Sequence, residues 1–183
     1  EYPIVSSNYI AFMMSVGNRD QLRVVRRDDG TSVDVGFVEG FPSISSNEGR
    51  VVFFNGSSDI MVANIDGSGS RRLTLGNHPS FIDDNTIVYQ LDEVPSEIWV
   101  YDLLTDTMYL LVEVGAYPTV TDGWVVFSDD VGWKAIRPDG TRETLIIPHD
   151  RGGNEFHLTG PILDSRPVLP RGKLSTSWAD LKR

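Results

Sequence analysis

Phe41-Pro42-Ser43-Ile44 opens a segment that continues through Val51-Val52-Phe53, Ile60-Met61-Val62 and Asp66-Gly67 to Arg72-Leu73-Thr74. The same order of short runs returns along the chain. An aromatic residue or His followed by proline stands at Tyr2-Pro3, Phe41-Pro42, His78-Pro79 and Tyr117-Pro118, with the prolines 39, 37 and 39 residues apart. A period near forty residues that contains only strand-like runs is the pattern of a propeller blade, a unit that buries its apolar faces only against its neighbours.

Within each unit four runs superpose. The first carries Val5, Ile44, Phe81 or Val120 two places after the proline. The second is an apolar pair closed by an aromatic, at Ile10-Ala11-Phe12, Val51-Val52-Phe53, Ile87-Val88-Tyr89 and Val125-Val126-Phe127. β-branched and aromatic residues in short unbroken runs favour strands covered on both faces. The third run, Leu22-Arg23-Val24 and its equivalents Ile60-Met61-Val62, Ile98-Trp99-Val100 and Trp133-Lys134-Ala135, alternates more clearly. Turn chemistry at Asp29-Gly30, Asp66-Gly67, Thr105-Asp106 and Asp139-Gly140 then predicts a tight hairpin into a more polar fourth run. A polar outermost strand resists pairing with another chain, and Arg23, Arg26, Arg27, Arg71 and Arg72 are read as outer-strand charges that pair with neighbouring acids. The expected fold is all-β: a β-propeller of four-stranded antiparallel blades over residues 1–147, four blades in number, followed by a non-repetitive C-terminal tail over 148–183. Either the chain closes as a four-bladed ring with the tail wrapped over it or it is an arc completed by another chain, and the closed ring is expected, because an open arc leaves two apolar end faces in water.

Pro42-Ser43-Ile44-Ser45, Ile60-Met61-Val62, Asp66-Gly67, Arg72-Leu73-Thr74 and Ile98-Trp99-Val100-Tyr101-Asp102 resemble the TolB-like propeller repeat, a relative of the WD-type repeat. The resemblance covers about residues 2 to 147, with the family's Ser-Pro-Asp-Gly turn degenerate at Ser45-Ser46-Asn47-Glu48-Gly49 and Thr121-Asp122-Gly123. It implies a blade fold. Propellers of this class are implied to include periplasmic scaffolds, peptidase gating domains and some polysaccharide lyases, so it selects no chemistry.

Composition narrows the partners. Sixteen basic against twenty-six acidic residues give a net charge of −10, which argues against nucleic acid and anionic lipid. The absence of cysteine removes disulfides and thiolate ligands. No apolar run reaches the roughly 18 residues of a membrane span. The chain starts at Glu1 without a basic-apolar leader, which is read as a processed, extracellular or periplasmic protein.

Candidate sites gather where a propeller's channel opens. Tyr2, Phe41, His78 and Tyr117 form an expected aromatic collar, which either stacks on a sugar or peptide side chain or wedges between blades. Asp92, Glu93, Asp129 and Asp130 lie on loops at the same end and serve either a glycan's hydroxyls or a calcium ion, or are solvated loop tips. The three histidines, His78, His149 and His157, offer a metal site if the tail folds over the mouth; in the resembled class such a site is implied for manganese-dependent oligogalacturonate lyases. No nucleophile elbow, zinc-protease helix motif, phosphate loop or dinucleotide fingerprint occurs. The leading expectation is a non-catalytic, cofactor-free module that presents mouth and tail to a glycan or protein partner. A carbohydrate-active enzyme and a self-assembling subunit docking through its tail are the alternatives.

Overall fold

The computed structural model describes residues 3–92 and 94–148. Tyr2, Glu93, His149, His157 and the tail beyond Pro148 lie outside the described residues. Among the described residues, sixteen strands form four antiparallel sheets, each ordered as the chain runs. Blade 1 is β1 (Ile4–Val5), β2 (Tyr9–Val16), β3 (Arg19–Arg26) and β4 (Ser32–Val38). Blade 2 is β5 (Ser43–Ile44), β6 (Arg50–Phe54), β7 (Asp59–Asn64) and β8 (Arg71–Leu75). Blade 3 is β9 (Asn77–Phe81), β10 (Thr86–Leu91), β11 (Glu97–Asp102) and β12 (Thr107–Val112). Blade 4 is β13 (Ala116–Thr121), β14 (Trp124–Ser128), β15 (Gly132–Ile136) and β16 (Thr144–Pro148). The first, second and third runs read from the sequence fall in their strands, whereas Arg142 and Glu143, read as the start of the last fourth run, precede β16, and Arg27 lies just past β3.

One repeat feature is visible only in three dimensions. The register between third and fourth strands slips after Leu22, Ile60, Ile98 and Trp133, the same column of each blade. A bulge repeated at one position increases the local twist of every blade in the same place, so the outer strands turn alike.

The second strands explain the unbroken apolar runs. In β6, Val51 and Phe53 join Ala11, Leu22, Val24 and Val38 of blade 1, while Val52 joins Ile60, Phe81, Ile87 and Tyr89 on the other side. In β10, Ile87 and Tyr89 face blade 2, and Val88 packs with Val125 and Phe127 of blade 4. Successive side chains thus serve opposite neighbours, and both faces must be apolar. Each fully buried valine or isoleucine contributes about 1.5–3 kcal/mol relative to exposure.

The two ends of the array differ from this pattern. Trp124, Val126 and Ala135 form a cluster with Trp133 and Ile146 of their own blade, and no described residue of blade 1 joins it. In β2, Ala11 is buried against blade 2, but Ile10, Phe12 and Met14 on the alternate positions are half-buried and belong to no apolar cluster of the described residues. The expectation that this strand is covered on both faces therefore fails for blade 1. Among the described residues, apolar packing joins blades 1 to 2, 2 to 3 and 3 to 4, and the expected closure of 4 onto 1 is not found.

Candidate functional site

In each blade the first strand starts, the second strand ends and the fourth strand ends at one end of the sheet, here called the mouth end. Phe41, His78 and Tyr117 stand there, just before the prolines that begin the innermost strands. Proline disfavours the helical region for the residue before it and leaves that residue few conformations. His78 and Tyr117 nevertheless take left-handed φ values of 47° and 56°. Bulky residues in that region cost of order 1–3 kcal/mol and persist only where the surroundings hold them.

The holding group is Gln90, at the end of β10 and 6% exposed. Its Oε1 accepts the Tyr117 backbone N–H at 2.8 Å, across the boundary from blade 3 to blade 4. Its Nε2 donates to Asp92 Oδ1 at 2.7 Å, and Asp92 Oδ2 also accepts from Asn77 Nδ2. Asp92 is only an acceptor, so it orients both amides with their NH2 groups toward it. That leaves Asn77 Oδ1, a buried atom with no hydrogen-bond donor among the described residues. The neighbouring His78 ring meets the Tyr117 ring edge-on, with centroids 5.0 Å apart and planes at 75°. Burial pushes the His78 imidazole below its ordinary pKa, against the attraction of Asp92, so it is neutral at neutral pH.

Phe41 and His78 share a cavity of about 100 Å³ with Glu39, Gly40, Phe54, Asn77 and Pro79. That volume exceeds the roughly 30 Å³ share of a single water several-fold. The collar is therefore partly packing and partly surface: His78 is half-buried, whereas Phe41 is 47% and Tyr117 57% exposed. The carboxylates divide. Asp92 is the centre of the amide network. Asp129 is withdrawn from solvent: its side chain is 8% exposed, it pairs with Lys134 at 2.8 Å, and it accepts the N–H groups of Val131 and Gly132. Lys134, bonded also to Glu143, is pushed up to about 12. Asp130 beside it is exposed.

No group of three His, Asp or Glu suited to a metal occurs among the described residues. Gln90 and Asn77 were not singled out from the sequence, although Gln90 carried a signal: it is the one polar residue inside the otherwise apolar run Ile87-Val88-Tyr89-Gln90-Leu91.

Large apolar side chains are also concentrated at the mouth end. Of the fourteen left exposed among the described residues, eight lie there, two from each blade. Blades 1 and 2 supply Val16 and Phe37, then Phe41 and Leu75. Blades 3 and 4 supply Val94 and Val114, then Tyr117 and Val131.

No protein-family model matches the chain, and no curated protein sequence does. Solved structures do. TolB from Acinetobacter baumannii aligns at 14% identity and a TM-score of 0.64 over 78% of this chain and 41% of its own. The β-propeller domain of the trilobed protease from Pyrococcus furiosus, described as having an open velcro topology, aligns at 11% identity and 0.59 over 80% of this chain and 56% of its own. Oligogalacturonate lyase from Vibrio parahaemolyticus aligns at 12% identity and 0.55 over 79% of this chain and 50% of its own. At these identities the likeness is one of fold, and the chain spans about half or less of each relative's length.

Proposed function

From this TolB-like propeller fold, we propose that the chain is a non-catalytic binding module whose mouth end receives a glycan or protein partner. One observation carries the reading: aromatic rings from successive blades stand at one rim, and one of them, Tyr117, is held in a costly left-handed backbone by the buried Gln90 amide, itself anchored on Asp92. Strain kept at surface-reaching side chains, rather than relaxed by glycine, is the pattern of a preorganised contact surface. Tyr117, 57% exposed, offers a ring face, and the Gln90 amide fixes the backbone that carries it.

The test is a glycan and peptide array probed with the wild-type chain and with Tyr117→Ala. Tyr117 is mostly exposed, so the substitution is expected to leave the melting temperature within a few degrees while lowering retention of a bound species on the order of tenfold. Shortened oligosaccharides after incubation would make the protein an enzyme and overturn the non-catalytic reading. Retention indifferent to Tyr117 would move the site elsewhere.

A further inference from the structure

The mouth end is unusual in two respects at once. It exposes paired aliphatic and aromatic side chains from all four blades, and it is acidic. Glu39, Asp92, Glu97, Glu113 and Asp130 lie at this end with no basic partner within 4.0 Å among the described residues. The cations nearby are committed: Arg72 pairs with Asp59, Lys134 with Asp129 and Glu143, and Arg19 lies over the Phe37 ring at 5.2 Å.

We propose that this face docks a polypeptide segment rich in basic and apolar side chains, with one alkylammonium or guanidinium side chain entering the recess walled by Phe41, Phe54 and Pro79 beneath Glu39. The inference rests on the binding-module reading and narrows it to one class of partner. Leu75, Val94 and Val131 have no flat face for a sugar ring to stack on. Their exposed area is removed from water by apolar side chains, and a patch supplied by every blade exceeds the scattered apolar residues of an ordinary surface. The unpaired carboxylates repel an anionic membrane and attract a cationic chain, which gives such a partner speed of encounter and orientation. In the recess, a methylene stem lies against Phe41 and Phe54 while its cationic head reaches the Glu39 carboxylate and the aromatic faces. His78 on the wall is neutral at neutral pH and does not oppose that charge.

The experiment is selection from a random-peptide phage library on the immobilised full chain, followed by affinity measurement of the selected peptides. Three variants are compared: Leu75→Ser with Val131→Ser, Glu39→Gln with Glu113→Gln, and a control at the opposite end, Val5→Ser with Leu104→Ser. All four proteins are first shown to share a melting temperature. The expected peptides combine Lys or Arg with apolar residues and lose affinity on the order of tenfold in the apolar pair of substitutions. They also lose affinity and salt sensitivity in the charge pair, and keep both in the control. Selected peptides that are acidic, peptides indifferent to the mouth substitutions, or no selected peptide at all would overturn the proposal. If glycan retention that depends on Tyr117 accompanies a failed peptide selection, the binding module stands and only this inference falls. If both assays are blank, both fall.

Discussion

Gln90 illustrates how one buried amide sets the backbone of another blade. Its carbonyl oxygen takes the N–H of a residue 27 positions later, and its NH2 is anchored on Asp92. Gln90→Leu leaves the Tyr117 N–H without its acceptor in a nearly closed site, and we expect a loss of about 1–3 kcal/mol in urea denaturation. The same change should speed hydrogen exchange at Tyr117. Gly76, directly before Asn77, is constrained by space as well as conformation: φ is +144°, and an added Cβ would sit 2.6 Å from the Gln90 carbonyl oxygen and 2.7 Å from the Tyr89 ring. Gly140 has φ +80° but open space around it. Gly140→Ala should therefore cost about 1 kcal/mol, and Gly76→Ala clearly more, since backbone cannot retreat as a flexible side chain can. Equal melting temperatures for the two would show that crowding at Gly76 is relieved without cost.

Between elements, the blades are tied at the end opposite the mouth by carboxylates on the loops between first and second strands. Glu48 accepts the backbone N–H of Asn8 at 3.0 Å, and Asp84 accepts the Ser46 hydroxyl at 2.6 Å and the Asn47 N–H at 2.7 Å. Backbone donation from Asn8 lowers the pKa of Glu48, and the Ser46 hydroxyl foremost lowers that of Asp84, from ordinary values of 4.5 and 3.8. Folded carboxyls that hold protons less tightly than unfolded ones contribute stability that is complete above those ordinary values. It is lost as pH falls through the depressed ones. Stability should thus decline below about pH 4, and less steeply in a Glu48→Gln, Asp84→Asn variant, which begins less stable. Parallel stability-versus-pH curves for the two proteins would exclude these links as the acid-sensitive ones. The Asp-Gly turns were legible from sequence, since Asp29, Asp66 and Asp139 each accept the N–H and hydroxyl of the Thr or Ser two residues on. In blade 3 the turn is instead capped by Asp102, which accepts the N–H groups of Leu104 and Thr105, while Asp106 serves Tyr101 and Arg71.

At the scale of the molecule, apolar packing runs from blade 1 to blade 4 in sequence order, and the second strands of blades 2, 3 and 4 are the most enclosed. Amide exchange should be slowest in β6, β10 and β14, faster in β2, whose alternate face is half-buried, and fastest in the exposed outer strands β4 and β8. A β2 as protected as β10 would mean that its second face is covered in solution. The strands, the fourfold count and the turns were legible in the sequence because they depend on neighbours along the chain: β-branched runs, the aromatic-Pro anchor and Asp-Gly pairs act within a few residues. Part of the candidate site was legible for the same reason, since Phe41, His78 and Tyr117 occupy one column of the repeat. The repeat gave no sign that Asp129, alike in sequence to Asp130, is drawn in by Lys134. Nor did it show that Gln90 supports Tyr117, that the outer strands share one bulge, or that no apolar cluster joins the described residues of blades 4 and 1. Those outcomes depend on twist and side-chain contact between residues tens of positions apart, and only the tertiary structure brings them within a hydrogen bond's length.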